Sequence, residues 1–513
     1  MTNRYLYITL LAILGPSPLL ATLGSAANYG LEADGVAQSQ TADRAPRLVV
    51  SIAVDQLRSD FLEAFAPLYG DNGFKRLLQG TIYTSASYPF TPVDRASAVA
   101  ALASGVTPYY NSIVGQRWLN RETLRPVWCT DDAKNPGVQT AQSASPVNLS
   151  TSTTGDELKV ATGGQALVWS VAPYCDAAVM AGGHAANGAL WIDDAQGLWC
   201  TSQYYLSTLP QWVNNVNRKD APAKKAGGKD VQRYRRYKSS ATVNGDVTTM
   251  ACECMANNAM GTDNVTDLLC ITYFAGGNGE QHHSDNARKE LQDTYVKLDS
   301  ELARLMAAAE RQTGKGNTLF VLTSTGYSEE KEEADYQKYR IPTGTFYMNR
   351  TADLLNMYMG AIWGQGRYVE KTFRNHIFLN HSLLDKKTIS IADATGRAQE
   401  LLVMMAGVRN VYTSLQLLTL GNEQIGRVRS GYNPERCGDL VVETAPGWRV
   451  LTESTNESEY TRAAFMQFPI IFFGTGIKAQ RIQTPVTTDR IAPTIAKAIR
   501  IRAPNACSSE PLF

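Results

Sequence analysis

Asp55 closes the run Leu48-Val49-Val50-Ser51-Ile52-Ala53-Val54, almost unbroken in apolar and β-branched residues. Such a run reads as a buried parallel strand. Ligands of parallel α/β sheets sit at the carboxyl ends of strands, so Asp55 lies where chemistry is expected. His282 and His283 are adjacent, with Asn278, Glu280 and Asp285 beside them, a grouping able to form a weak metal site. His184, in Gly183-His184-Ala185-Ala186-Asn187, reads as a satisfied buried histidine rather than a ligand. The acidic run Glu329, Glu330, Glu332, Glu333 reads as solvent-facing. The eight cysteines (Cys129, Cys175, Cys200, Cys252, Cys254, Cys270, Cys437, Cys507) include no C-x2-C pair and no Cys/His cluster, which argues against zinc held by thiolates. In an exported chain some would be disulfide-bonded, in pairings that spacing leaves open. Cys252-Glu253-Cys254 is too short for a relaxed bridge within itself.

The elements around these residues follow from periodicity. Apolar runs at 48–55, 166–171, 177–181, 268–274, 318–324 and 468–474 read as strands. Between them lie helical patterns, the clearest at 287–311, where Leu291, Tyr295, Leu298, Leu302, Leu305 and Met306 recur at steps of three and four. Alternating strands and helices predict an α/β protein with a doubly wound, mostly parallel sheet. At 513 residues and 44% hydrophobic content, the chain is long enough for one large domain with insertions, or for two domains. Lys+Arg total 49 against Asp+Glu 48, so bulk charge points to no nucleic-acid or acidic-membrane partner. Residues 201–250 interrupt the pattern with Lys224, Lys225, Lys229, Arg233, Arg235, Arg236 and Lys238, and read as a solvated basic insertion. The interleaved Tyr234 and Tyr237 do not make it a nucleic-acid site. A second insertion, at about 347–375 with a helix at 352–361, reads as part of a cap. No internal repeat is present.

At the N-terminus, Arg4, an apolar run from Tyr5 to Leu14, and Ser25-Ala26-Ala27 read as a signal peptide over 1–27. A polar, unpatterned tether follows over 28–47, and the α/β domain occupies 48–513. The expected location is exported, periplasmic or secreted. No run of about eighteen apolar residues supplies a transmembrane span.

The chain resembles the phosphate-irrepressible alkaline phosphatases of the PafA type, relatives of nucleotide pyrophosphatase/phosphodiesterases. The resemblance rests on Val54-Asp55-Gln56, Gly73-Phe74-Lys75-Arg76-Leu77-Leu78, Gly155-Asp156-Glu157-Leu158, the Gly183–Asn187 motif, Asp293-Thr294-Tyr295 with Leu298-Asp299, and Thr484-Pro485-Val486 followed by Asp489 and Ile491-Ala492-Pro493-Thr494. It implies a sheet of alkaline-phosphatase type with cap insertions. It also implies a zinc-dependent phosphomonoesterase or diesterase acting through a phosphorylated threonine or serine. That chemistry needs two zinc ions about 4 Å apart, each with about three protein ligands.

Against that pattern Asp55 is kept as a ligand of one metal. The Asp-His-Gly triplet that follows a later strand falls on Thr325-Gly326-Tyr327. The Asp and His of the other metal fall on Asn278 and His282, and its third ligand on Asn456. Each metal therefore keeps one ligand, Asp55 or His282. The nucleophile falls on Arg95, the phosphate-clamping Asn on Gln116 or Arg117, and a Lys-x-Arg pair on Tyr174 and Asp176. The resemblance thus describes a vestigial site with no catalytic set and no cofactor expected.

Arg95 is placed to neutralise Asp55 as zinc would, and Arg95 with Arg117 could hold an anionic ligand. The function so read is an exported alkaline-phosphatase-like protein that has lost dizinc phosphoester hydrolysis and serves in binding or assembly, its partner a protein or an anion. The alternative is a zinc-dependent phosphomonoesterase or phosphodiesterase with a rearranged site built from His282, Asp55 and Ser97.

Overall fold

The computed structural model describes residues 45–228, 232–277, 285–327, 338–419, 421, 423–460 and 466–513. Eleven strands form the large sheet: β1 (Leu48–Asp55), β2 (Thr81–Ser87), β3 (Gly137–Val138), β4 (Val168–Val171), β5 (Gly188–Ile192), β6 (Trp199–Ser202), β7 (Asp267–Phe274), β8 (Thr318–Ser324), β9 (Phe468–Gly474), β10 (Gln480–Ile482) and β11 (Val486–Thr487). Their order is β10-β2-β9-β8-β1-β7-β4-β5-β6-β3, with β11 beside β2. The strands β8, β1, β7, β4 and β5 are mutually parallel, and β9 and β6 join either side of them antiparallel.

β1 lies at the centre, in register with β7 from Leu48↔Asp267 to Asp55↔Phe274 and with β8 from Leu48↔Thr318 to Val54↔Ser324. Helices cover both faces, which is why the strand shows no polar alternation. Its residues still divide by the pleat. Leu48, Val50, Ile52 and Val54 enter one core with Leu291, Tyr295, Leu298, Leu302 and Leu305 of the helix Asp285–Thr313. Val49 and Ala53 enter the other, with Ala98, Val99 and Leu102 of the helix Arg95–Ser104.

Three expectations are corrected. The run 177–181 is not a strand but lies within the helix Cys175–Gly182. It is rich in alanine, the best helix former, and a short apolar run does not distinguish strand from buried helix. The basic stretch 201–250 is not an open loop: it contains the helices Gln211–Asp220, Pro222–Lys225 and Arg233–Lys238. Tyr234, Tyr237 and Lys238 share the buried side of the last one, and from Val243 the chain enters the core helix Val243–Asn257. The second insertion is longer than 347–375. From 344 to 460 the chain forms a lobe with its own core of Phe346, Met348, Leu355, Met359, Ile377 and Val450, built on a three-stranded and a four-stranded sheet.

Residues 1–44, and with them the signal peptide and most of the tether, lie outside the described residues. Within 45–47 the chain is already anchored: Pro46 is buried, and its carbonyl accepts from Thr266 Oγ1 at 2.6 Å. All eight cysteines are free thiols, so the expected disulfides are not formed.

The motif pairs behind the resemblance prove to be contacts. Buried Asp299, on the long helix, accepts from the backbone N–H of Gly70 at 2.8 Å and of Phe74 at 2.7 Å. A Cβ on Gly73 would come within 2.2 Å of the same carboxylate, so only glycine fits there. Asp299→Ala strands the buried Phe74 amide and unties the part-buried amide of Gly70; it should lower the unfolding free energy by about 2 kcal/mol, read as a reduced urea midpoint at unchanged slope.

Candidate functional site

The site forms at the carboxyl ends of β1, β8 and β4. Asp55 ends β1, and the next residue, Gln56, takes a left-handed conformation (φ +64°) that turns the chain sharply away. Thr325 and Tyr327 follow the end of β8. Tyr174 and Asp176 lie beyond β4, at the start of the helix Cys175–Gly182. Arg95 is the first residue of the helix Arg95–Ser104, whose start is fixed by reciprocal capping between Asp94 and Ser97, Ser97 N to Asp94 Oδ1 and Asp94 N to Ser97 Oγ both at 3.0 Å.

These side chains close on one another. Thr325 Oγ1 donates to Asp55 Oδ1 at 2.8 Å, and Tyr327 OH donates to Asp55 Oδ2 at 3.1 Å. Arg95 Nη1 donates to the same Oδ2 at 3.3 Å. The other edge of the guanidinium grips Asp176, Nε to Oδ1 and Nη2 to Oδ2, both at 3.0 Å. The ring of Tyr174 lies under Arg95, with Cζ 3.5 Å from its centroid. Asp55, Arg95 and Asp176 are all buried. Burial raises the Asp55 carboxyl above its ordinary value, against the pull of Arg95, Thr325 and Tyr327. Burial also works against the Arg95 charge, but Asp176, Tyr327 and Asp55 hold its pKa well above the ordinary value.

The other expected site residues are dispersed. Gln116 has its backbone N–H on Asp94 Oδ2 at 2.7 Å. Arg117 pairs with Glu457 and stacks over Trp128 at 4.9 Å. With Arg95 committed to two carboxylates and Arg117 to a third, the joint anion site expected of them is not formed. Asn456 sits in the exposed hairpin turn between the lobe strands Trp448–Thr452 and Glu457–Tyr460, at φ +55°, a conformation asparagine tolerates. Ser97 is fully buried and held by Asp94, which removes it as a displaced nucleophile. Asn278, His282 and the acidic run 329–333 lie outside the described residues.

Three participants were not read as such: Tyr327, Asp176 and Lys238. Tyr327 falls on the glycine of the Asp-His-Gly triplet and Asp176 on a lost cation, so neither reads as a partner for what remains. Lys238 belongs to a stretch whose charge reads as a solvated surface. Its aromatic neighbours at 234 and 237 were the signal that this stretch has a buried side.

The zinc that the resemblance implies does not fit the Asp55 position. Both carboxylate oxygens already accept from protein donors, a fixed positive charge stands beside them, and the neighbouring groups are a threonine and a tyrosine hydroxyl. Among the described residues no three His, Cys, Asp or Glu side chains converge as a metal would require.

A central parallel sheet with an Asp at the end of its first strand and a lobe inserted late in the chain is an alkaline-phosphatase-type fold. The sequence pattern of the type I phosphodiesterase / nucleotide pyrophosphatase family matches residues 49–465, and the chain belongs to that family. It is 26% identical over 524 residues to the alkaline phosphatase PafA of Elizabethkingia meningoseptica, across 93% of this chain and 95% of that protein. It is likewise 26% identical over 506 residues to the alkaline phosphatase PhoV of Synechococcus elongatus, across 90% of this chain and 91% of that protein. The crystal structure of wild type alkaline phosphatase PafA matches with a TM-score of 0.78 at 24% identity, over 91% of this chain and 98% of that one, a likeness of fold.

His184 is half-buried rather than buried, and both ring nitrogens are engaged: Nδ1 with Asp156 Oδ2 at 3.1 Å and Nε2 with the Leu149 carbonyl at 3.0 Å. Two acceptors call for two N–H donors, the protonated imidazole. The Asp156 hydrogen bond accordingly raises the His184 pKa against the effect of burial. Burial works to raise Asp156, but the His184 hydrogen bond and the amides of Thr153 and Ala185 bring it below the usual carboxylate value. The pair's contribution is complete between about pH 4 and pH 6.5. It is lost as pH falls through the lowered Asp156 value, and as pH rises through the raised His184 value. The stability advantage of wild type over His184→Gln in urea should therefore be larger at pH 5.5 than at pH 9.

Proposed function

We propose that this chain is an exported member of the family that does not perform dizinc phosphoester hydrolysis and instead serves in binding or assembly. The observation that carries the reading is the engagement of both Asp55 oxygens: Oδ1 accepts from Thr325, and Oδ2 from Tyr327 and from the fixed positive charge of Arg95. Arg95, at the position the resemblance gives to the nucleophile, has no chemistry for attack on phosphorus and is held on two sides by carboxylates. The rearranged hydrolase loses Ser97, which is enclosed in its capping box.

A protein partner is favoured over an anion because both arginines of the supposed anion site are paired, while the lobe carries exposed apolar groups. Leu354, Met357 and Ile362 of the helix Met348–Trp363 are 40%, 72% and 42% exposed, and Met404 is 75% exposed. Export is supported by the N-terminal sequence, whose 1–27 segment has the charge, apolar run and small residues of a cleavable leader.

Elemental analysis of the purified mature protein should find no stoichiometric zinc, and p-nitrophenyl phosphate and its diester analogue should not be turned over with zinc added. About two zinc ions per chain, with turnover abolished by Asp55→Ala, would sink the reading. N-terminal sequencing of the protein recovered from the exported fraction should begin at Asn28; retention of the first 27 residues in a cell-associated product would overturn export.

A further inference from the structure

Asp55 and Asp176 are both buried and face one guanidinium, and a single positive charge leaves one of two buried carboxylates unneutralised. A second buried cation stands close by. The side chain of Lys238 is 3% exposed, its ammonium donates to the carbonyl of Ile192 at 3.1 Å, and it lies 4.6 Å from the centroid of the Tyr174 ring. That is the ring on which Arg95 stacks. The carboxylate paired with Lys238, Asp194, is 53% exposed and is shared with Arg235 at 3.7 Å, so solvent answers much of its charge. Lys238 is thus a second buried ammonium that approaches the same aromatic ring as Arg95, with its own carboxylate partner largely in solvent. The hydroxyl of Tyr174 is hydrogen-bonded in turn with Ser239 Oγ at 2.8 Å, so the ring that both cations approach is fixed at its hydroxyl end.

We propose that Asp55 and Asp176 form a cation site whose permanent occupant is the guanidinium of Arg95, with Lys238 as the second fixed positive charge. The chain thereby carries as side chains the positive charge that its strand-end carboxylates require, and the helical segment once read as a basic surface insertion delivers half of it. This inference rests on the reading that wild-type protein holds no zinc. It adds that the site still demands a cation, and that a planar, fork-shaped one suits it best, because the Arg95 contact with Asp176 is two-pronged. Removing the occupant therefore creates an external cation site for guanidinium ion or a divalent metal.

The test is thermal unfolding of the full mature chain. Arg95→Gly should melt about 5 °C or more below wild type. Low-millimolar guanidinium chloride, compared with sodium chloride at equal ionic strength, should recover part of that loss, and so should micromolar zinc; wild type should respond to neither. Arg95→Gly combined with Asp55→Asn and Asp176→Asn should recover most of the deficit and lose both responses. Lys238→Met should lower the wild-type melting temperature and have little effect in the Asp55→Asn/Asp176→Asn background.

A folded Arg95→Gly protein indifferent to both cations would overturn the proposal. If Arg95→Gly does not fold, the triple variant decides: folding close to wild-type stability supports the cation site, and failure to fold overturns it. Zinc found in wild-type protein would overturn the proposed function itself, whereas a zinc-free wild type with an unresponsive Arg95→Gly variant overturns only the cation site.

Discussion

Arg95 reaches from the first turn of its helix into the space between Asp55 and Asp176, and one side chain thereby ties the end of the central strand to the start of the helix Cys175–Gly182. Removing one member of such a buried set costs about 3–5 kcal/mol, a large share of the roughly 5–15 kcal/mol that holds a domain folded. The surroundings are arranged to keep it. The Asp94 cap fixes the helix start from which Arg95 departs, Thr325 and Tyr327 complete the hydration shell that Asp55 gave up, and the Tyr174 ring supports the guanidinium from below. These groups hold one another through hydrogen bonds and ion pairs at the ends of three strands.

The same strand ends that carry chemistry in parallel α/β proteins are kept in shape here while their side chains point at each other. The scaffold motifs have local reasons to persist that are independent of any reaction: Asp299 holds the amides at Gly70 and Phe74, and Asp156 holds Thr153, His184 and Ala185. Fold and site are thus supported by different residues, and one can be retained while the other is rebuilt.

Much of this arrangement was legible in the residues. The β-branched run ending in Asp55 reads as a central buried strand because helices on both faces remove any polar alternation, and the long Leu/Tyr periodicity marks the helix that covers one face. What escaped reading has physical causes. The alanine-rich run 177–181 carries no feature that separates strand from buried helix. Lys238 reads like one more surface lysine, since nothing in a one-dimensional pattern says that its side chain is buried with the ammonium near the Tyr174 ring. Tyr327 and Asp176 are visible only as departures from the resemblance; that the hydroxyl of one turns to Asp55 and the carboxylate of the other to the guanidinium on Asp55 requires knowing that the ends of β8 and β4 flank β1 and its neighbour β7. The extent of the lobe is hidden because its strands are short, as in His376–Leu379, or interrupted by polar residues, as in Val369–Phe373.

The lobe leaves the large sheet after β8 and returns to it at β9, and these two strands are antiparallel neighbours, with Leu322 opposite Ile471 and Thr323 Oγ1 on the Pro469 carbonyl at 3.0 Å. In topological terms the whole segment is the loop of a hairpin. Its entry and exit meet at one place on the sheet, it has a core of its own, and ion pairs such as Arg117 to Glu457 and Arg121 to Asp439 fasten it to the rest of the chain. The lobe is in this sense an enlarged turn: a single departure from the sheet supplies a second surface, with the exposed Met357 and Met404 on it, at no cost in extra crossings of the central strands.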